Sequence, residues 1–116
     1  MPHGSTREAM LKAALADAGD RWTVDGVLGE VEAGEAHLWT FPASVVVTRF
    51  VDEEGGKTLF YWLAGGDLDE IKRMEPRMSE WGRAQGCNRK MLMGRAGWQR
   101  ALGWKRVGVV LAEDMT

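Results

Sequence analysis

Apolar residues near the start of the chain recur every three or four positions, which is the spacing of one face of an α-helix. The pattern predicts a first helix over residues 6–18, and Ser5 and Glu8 have the spacing of a capping box at its start. Thr23 is placed to cap a second helix, which Gly34 ends. The first third of the chain is therefore predicted to be helical.

Beyond the second helix, apolar and polar residues alternate, which is the pattern of a half-buried strand. Residues 35–40, 44–51 and 58–64 are predicted to be strands, with three consecutive valines in the second and several aromatic residues in the third. Residues 52–57 are polar, contain two glycines and have the length of a hairpin connection. These three strands are predicted to form an antiparallel meander.

A long amphipathic helix is predicted after Gly65 and Gly66, where apolar residues again recur every three or four positions. Asp67 is placed to cap this helix and Gly86 ends it. Pro76 lies inside the predicted helix. Because proline removes a hydrogen bond and clashes with the preceding turn, we expect a kink or a split into two segments.

Three short elements are predicted to complete the fold. Residues 88–93 are predicted to be a strand, the glycine turn 94–97 opens a brief helix that contains Trp98, and residues 106–112 are predicted to be a final strand. A chain of 116 residues with 45% hydrophobic content can bury one core. The sequence therefore predicts a single α+β domain over residues 1–116, with a mixed central sheet of about five strands flanked by helices.

Charge is distributed unevenly, although the net charge is only −2. Residues 1–56 contain ten acidic and four basic side chains, whereas residues 71–106 contain ten basic and two acidic ones. A positive segment of this kind attracts phosphate-bearing ligands or an acidic protein surface. The alternative is a solvated surface that the acidic half of the molecule neutralises.

Several classes of protein are not indicated by the sequence. The longest apolar run is about five residues, against the roughly twenty that a membrane helix needs, and the first residues lack the pattern of a secretory signal. Cys87 is the one cysteine, so no internal disulfide is expected. The two histidines and Cys87 have no metal-binding spacing, and no Walker or dinucleotide motif is present. We expect neither a membrane association nor a metal site.

A family resemblance rests on the order of the elements and on three stretches, GEAHLW, FYWLAGGDLDE and WGRAQGCNRKMLMGRAGWQRALGW. Over about residues 22–112 the chain resembles small bacteriophage or prophage proteins with the GNAT fold of N-acetyltransferases, which are often encoded among virion morphogenesis genes. The resemblance implies a truncated GNAT-like fold. It also implies a viral origin.

The resemblance implies where a cofactor would lie. In active GNAT enzymes an Arg/Gln-x-x-Gly-x-Gly/Ala turn before the long helix binds the pyrophosphate of acetyl-CoA. If acetyl-CoA binds here, the corresponding residues are Gly65, Gly66 and Asp67, with Arg95 as a further source of positive charge. The turn is shorter, lacks the leading Arg or Gln, and has Asp67 and Asp69 where a phosphate needs positive potential. We therefore expect no cofactor, and acetyl-CoA only if the protein is active.

The resemblance also implies where catalytic groups would lie. GNAT enzymes commonly use a tyrosine in the short helix after the second strand of the central pair as a general acid. The corresponding helix contains Trp98 and no tyrosine, and Tyr61 on the central strand is expected to pack. His37 and Cys87 are also expected to be structural. We predict no catalytic residue.

The second glycine turn, residues 94–100, is the predicted partner-binding element. Its glycines permit close backbone approach, and Trp98 can lie over Arg95. The residues predicted to bind a partner are Arg95, Gly97, Trp98, Arg100 and Lys105. The alternative is that the glycines only shape the turn while Trp98 fills the core and Arg95 caps a carbonyl.

Three functions remain open at this point. The first is a non-catalytic phage protein that contacts a phage or host protein, as a virion or assembly component or as a modulator of a host factor, in the virion or the host cytoplasm. The second is an acetyl-CoA-dependent N-acetyltransferase. The third is a nucleic-acid-binding accessory protein, in which Trp81, Trp98 and Trp104 stack on bases amid the basic segment. A homo-oligomer is possible through the strands 35–40 and 106–112, since exposed edges pair.

Overall fold

The computed structural model describes residues 3–18, 21–94 and 96–115. Within these ranges the chain forms helices α1 (His3–Ala18), α2 (Val24–Glu32), α3 (Leu68–Ala84) and α4 (Ala96–Leu102), and strands β1 (His37–Phe41), β2 (Ser44–Glu53), β3 (Gly56–Gly66) and β4 (Cys87–Leu92). The fold is α+β, as the sequence predicts.

The four strands form one open mixed sheet in the order β1-β2-β3-β4. The first three strands are antiparallel neighbours, so the predicted meander is confirmed. β4 pairs with β3 in parallel, and α3 makes the crossover between them. β2 and β3 extend beyond their predicted bounds because Glu53 pairs with Gly56, which leaves a two-residue turn between the strands.

Two apolar clusters cover the two faces of this sheet. On one face α1 and α2 pack against the sheet around the buried residues Leu11, Ala14, Leu15, Val27, Ala36, Val45, Val47, Phe60, Trp62 and Leu63. On the other face α3 packs through its residues Ile71 and Met78 on Val46, Leu59 and Tyr61 of the sheet, with Trp98 and Trp104 at the margin. The sheet is therefore the middle layer between helices.

The predicted helix caps of the middle of the chain are confirmed. The hydroxyl of Thr23 accepts a hydrogen bond from the N–H of Gly26 at 3.0 Å at the start of α2. The carboxylate of Asp67 accepts from the N–H groups of Asp69 at 2.9 Å and Glu70 at 3.4 Å at the start of α3. At the chain start the prediction differs, because α1 begins at His3 and Ser5 lies within its first turn.

The predicted final strand at residues 106–112 is wrong, so the sheet has four strands rather than about five. Residues 103–115 have no regular secondary structure. The prediction used the β-branched composition of this segment, but a strand exists only when it pairs with a neighbour. No described strand pairs with it.

The predicted interruption of the long helix is also wrong in its stronger form. α3 runs without a break from Leu68 to Ala84 with Pro76 inside it. Proline leaves the carbonyl one turn earlier, that of Lys72, without its helical hydrogen bond. Both residues are exposed, so water can satisfy that carbonyl.

None of the helices in the described ranges is long and apolar enough to cross a membrane.

Candidate functional site

A cleft opens where β3 and β4 stop running side by side. The two strands pair from Lys57 to Tyr61 on β3, after which β3 continues to Gly66 while the chain beyond Leu92 turns into α4. The gap between them forms a cavity of about 570 Å³. Its walls are Tyr61, Trp62, Leu63, Ala64, Gly65 and Gly66 of β3, Ala13 and Ala14 of α1, Leu68 and Ile71 of α3, and Leu92, Met93, Gly94, Gly97, Trp98 and Arg100.

Most of the side chains that line this cleft are apolar. Among its described residues, the titratable side chains are the phenol of Tyr61 and the guanidinium of Arg100. Leu68 and Met93 at the cleft are exposed, at 39% and 51% of their surface. A cleft of this kind accommodates apolar groups and offers a positive charge at its rim.

Tyr61 belongs to a hydrogen-bonded cluster between β3, α3 and β4. Its hydroxyl donates to Glu75 at 2.9 Å, and the hydroxyl of Ser79 donates to the same carboxylate at 2.5 Å. Lys90 on β4 donates to Glu75 at 2.7 Å and to Ser79 at 2.8 Å. Glu75 is thus held by three donors from three elements.

The cluster changes the protonation equilibria of its members. Burial raises the pKa of Tyr61 well above its usual range, and the nearby negative charge of Glu75 raises it further. Burial alone would raise the pKa of Glu75, but hydrogen bonds from Lys90, Ser79 and Tyr61 outweigh it and the pKa is lowered. The phenol therefore stays protonated and the carboxylate stays ionised near neutral pH.

Trp104 covers the outer side of this cluster. Its ring centroid lies 5.7 Å from that of Tyr61, and the ammonium of Lys90 lies 4.9 Å from the indole. The positive charge of Lys90 is thus shared between a carboxylate and an aromatic face. These contacts fix the point from which the C-terminal segment departs.

The first glycine turn has a packing role in the structure. A Cβ built on Gly65 would lie 2.5 Å from the carbonyl oxygen of Met10 in α1. Gly66 has a φ of 102° and its Cβ position is 2.3 Å from the carbonyl oxygen of Ala43. Both glycines therefore allow other parts of the backbone to come close.

The N-terminus of α3 is occupied by the chain itself. Asp67 accepts two of the free N–H groups of the first turn, those of Asp69 and Glu70, and Asp69 adds a second negative charge there. The buried carboxylate of Glu70 points to the turn between β1 and β2, where it accepts from the N–H of Ala43 at 2.9 Å and from the hydroxyl of Ser44. This helix start is stabilised without any ligand.

The structure brings only some of the predicted site residues together. Gly65 and Gly66 line the same cleft as Gly97, Trp98 and Arg100, so the two glycine turns meet. Asp67 and Lys105 are exposed and lie outside the lining. Arg95, predicted for both cofactor and partner binding, lies outside the described residues.

Trp98 is half-buried at the margin of the core cluster that covers the α3 face. It also lines the cleft. A Cβ on Gly94 would stand 2.9 Å from the Cδ1 atom of Trp98, so this glycine makes room for the indole. Trp98 is thus both a packing residue, as one interpretation of the sequence holds, and part of the cleft wall.

His37 lies in a separate aromatic cluster at the other end of the sheet. Its ring is 4.6 Å from Phe50 and 4.8 Å from Trp81, and Trp39 lies 5.2 Å from Trp81. Burial lowers the pKa of His37, and a hydrogen bond from the ring to the backbone of Thr48 partly offsets this effect. The histidine does not line the cleft.

Cys87 is half-buried in β4, and burial raises the pKa of its thiol. It is therefore not a thiolate near neutral pH. It lines a smaller depression of about 190 Å³ beside α3, away from the main cleft.

No pattern in the sequence indicates that Glu75 and Ser79 contact Tyr61 and Lys90. The two α3 residues are four positions apart and so share one helix face. Their meeting with Tyr61 and Lys90 depends on the parallel pairing of β3 and β4, which brings distant parts of the chain together. Sequence reasoning found the residues of the second glycine turn but missed this cluster.

Within the part of the chain that the structure describes, no three His, Cys, Asp or Glu residues are placed to hold a metal ion.

Comparison with known protein families, with curated proteins and with solved structures gives no match for this chain.

Proposed function

We propose that the protein is a phage-encoded, non-catalytic protein of truncated GNAT-like architecture, which acts by contact with a phage or host protein. Its role would be that of a virion or assembly component or of a modulator of a host factor, in the virion or the host cytoplasm. The sequence resemblance supports the origin and the fold type. The occupied N-terminus of α3 is the observation that carries the non-catalytic part.

A pyrophosphate bound at the start of α3 would need free N–H groups and positive potential. Asp67 already accepts the N–H groups of Asp69 and Glu70. A second carboxylate, that of Asp69, lies in the first turn. A bound anion would have to compete with the carboxylate of Asp67 for these N–H groups, and the negative charges of Asp67 and Asp69 would repel it.

The glycines of this region support the same conclusion. Gly65 and Gly66 are in contact with the backbone of α1 and of the turn that precedes β2, through Met10 and Ala43. The fold needs these two positions to have no side chain, because a Cβ would clash with the neighbouring backbone. They are therefore not available to let a phosphate approach the backbone.

The groups that line the cleft support a binding role over a catalytic one. The phenol of Tyr61 donates to Glu75 and its pKa is raised above the usual range, so it is a poor proton donor. The guanidinium of Arg100 has hydrogen-bond donors and no acceptor. The described lining thus offers apolar side chains for contact with a bound group and one positive charge that can orient that group.

The cleft favours an apolar side chain or short segment of a partner protein, with an acidic residue beside it. Leu68 and Met93 offer exposed apolar contact, and Arg100 offers positive charge in the same lining. Aromatic and arginine residues are the typical anchors of such contacts. This role corresponds to Trp98 and Arg100 among the predicted partner-binding residues.

A photo-cross-linking experiment tests the cleft as the partner site. A photoreactive residue replaces Met93 at the cleft, and in a control it replaces Lys72, which is exposed on α3 outside the lining. We expect a discrete adduct from position 93 in phage-producing cells and none from position 72. Equal adducts from both positions would contradict a specific cleft contact.

The genes beside the coding sequence distinguish the two roles. Capsid, portal and tail genes favour a virion or assembly component. Genes of antiviral defence or counter-defence favour a modulator of a host factor.

An acetyl-CoA-dependent N-acetyltransferase is the alternative that one observation favours. The parallel strands β3 and β4 separate beyond Tyr61, which opens a cleft large enough for part of a cofactor. In that case Gly65, Gly66, Asp67 and Arg95 would be the cofactor-binding residues. Titration with acetyl-CoA separates this alternative from the non-catalytic proposal.

A nucleic-acid-binding accessory role is the second alternative, based on the basic segment 71–106. Trp81 packs among His37, Trp39 and Phe50, and Trp98 and Trp104 are half-buried at the core margin. These contacts leave less indole surface for stacking on bases. A shift of DNA or RNA probes that weakens as salt rises would support this role, and no shift at low salt would contradict it.

A further inference from the structure

The C-terminal segment, residues 106–112, exposes neighbouring apolar side chains to water. Val107, Val109, Val110 and Leu111 are exposed at 72%, 63%, 71% and 88% of their surface. β-branched residues favour strands, yet this segment pairs with no described strand. It is therefore a strand-forming sequence without a neighbour.

One edge of strand β4 has no neighbouring strand to pair with in the described chain. The strand pairs with β3 on one side and is the last strand of the sheet. On its other side, no described strand accepts or donates hydrogen bonds along Cys87–Leu92. An open edge of this kind pairs readily with an extended segment.

The chain's own C-terminal segment is badly placed to cover this edge. Trp104 is held 4.9 Å from the ammonium of Lys90, which is in the middle of β4. If the chain ran antiparallel to β4 from there, Lys105, Arg106 and Val107 would use up the half of the strand towards Cys87, at about 3.4 Å per residue. Residues 108–111 would then extend beyond the end of β4.

The C-terminal segment of a second copy is not held by the contact between Trp104 and Lys90 of this chain. Its acidic residues would also lie near basic side chains. Antiparallel pairing of residues 106–111 with Cys87–Leu92 puts Glu113 and Asp114 of the incoming segment beyond Cys87. Lys57 pairs with Cys87 on β3 and Arg83 lines the same depression as Cys87, so two basic side chains lie at this end of β4, although Asp52 lies opposite Lys57 on β2. The other edge strand, β1, follows Glu35, which would repel the same acids.

We propose that two copies of the chain exchange their C-terminal segments, each segment pairing antiparallel with β4 of the other copy as the fifth strand of its sheet. A reciprocal exchange covers both open β4 edges and both apolar segments, and it closes about a two-fold axis. It is independent of what occupies the cleft.

The oligomeric state of the full chain tests the exchange. Sedimentation over a dilution series is expected to give a species of twice the 12.9 kDa of one chain. Val110→Asp places a charge in the new sheet and is expected to yield monomers. Because Val110 is exposed in the single chain, this variant keeps its fold, which circular dichroism checks.

Met115→Asp is the matched control, since it removes a fully exposed apolar residue that follows the C-terminal segment and lies outside the pairing region. It is expected to remain a dimer. A chain that is monomeric at every concentration would overturn the exchange. This holds also if hydrogen exchange shows the segment of that monomer to be protected, because the segment would then pair with its own β4. A dimer that survives Val110→Asp would overturn it as well.

Cysteine pairing identifies the strand that receives the segment. One chain carries Cys87→Ser with Val110→Cys, and a second carries Cys87→Ser with Asn88→Cys, the residue opposite position 110 in the pairing given above. Oxidation of the mixture is expected to give a disulfide that joins one chain of each kind. Bridges only between two chains of the same kind would overturn the assignment to β4.

Discussion

The carbonyl oxygen of Met10 lies over Gly65 so closely that a Cβ at this glycine would stand 2.5 Å from it. This contact joins α1 to the end of β3, at the wall of the cleft. Packing against α1 is therefore enough to explain why this position requires a glycine. The same position is where the family resemblance implies a cofactor turn.

Gly65→Ala is expected to destabilise the protein by about 1–3 kcal/mol, because the clash is with backbone and α1 or β3 must shift. Chemical denaturation at neutral pH measures the change. Gly29→Ala in α2 is the control, since a Cβ there meets nothing within 4 Å. It is expected to stabilise the helix by about 0.5–1 kcal/mol. Equal effects of the two variants would contradict the packing role of Gly65.

Glu75→Gln is expected to reduce the dependence of stability on acid pH. The pKa of Glu75 is lowered in the folded protein, so its contribution is complete above its ordinary value of 4.5 and is lost as the pH falls through the folded-state value. Urea denaturation at neutral and acid pH compares the variant with the unaltered chain. Glu80→Gln, on the exposed side of the same helix, controls for the loss of a charge. Identical pH profiles for the two variants would contradict the role of the Tyr61–Glu75–Lys90 cluster.

His37 is expected to destabilise the folded state when it becomes protonated. Burial lowers its pKa, so the stability associated with neutral His37 is complete above its ordinary value of 6.5 and is lost as the pH falls from there through the lower folded-state value. His37→Gln is expected to flatten this part of the stability profile. Nuclear magnetic resonance titration of the ring measures the pKa directly, and a value above 6.5 would contradict the account.

Trp98→Ala is expected to cost about 2 kcal/mol of stability, less than the roughly 3–5 kcal/mol for a fully buried aromatic residue, because Trp98 is only half-buried. Thermal denaturation measures the change. Leu68→Ala is a control at the cleft that removes a more exposed side chain, and it is expected to cost less. An unchanged midpoint for Trp98→Ala would mean that the indole does not pack against the core.

Local patterns predicted much of this fold. The alternation in the meander, the three- to four-residue spacing of α3 and the caps Thr23 and Asp67 depend on neighbouring residues, and the structure confirms them. The segment 106–112 has the composition of a strand, but composition does not say which neighbour it pairs with. That is why the predicted fifth strand is wrong for the single chain.

The site was less accessible to sequence reasoning for the same physical reason. Tyr61, Glu75 and Lys90 are far apart in the chain and meet only because α3 returns the chain parallel to β3. The sequence identifies Gly65 as a glycine of a turn, but its contact with Met10 depends on where α1 packs. Long-range packing thus decides the meaning of both features.

Isothermal titration of the unaltered chain with acetyl-CoA tests most directly whether the start of α3 and the glycines serve the fold rather than a phosphate. A parallel titration with ATP, which carries phosphates without the pantetheine arm, controls for general attraction to the basic segment. We predict only the heat of dilution from acetyl-CoA. Saturable binding in the micromolar range that ATP does not reproduce would contradict the account.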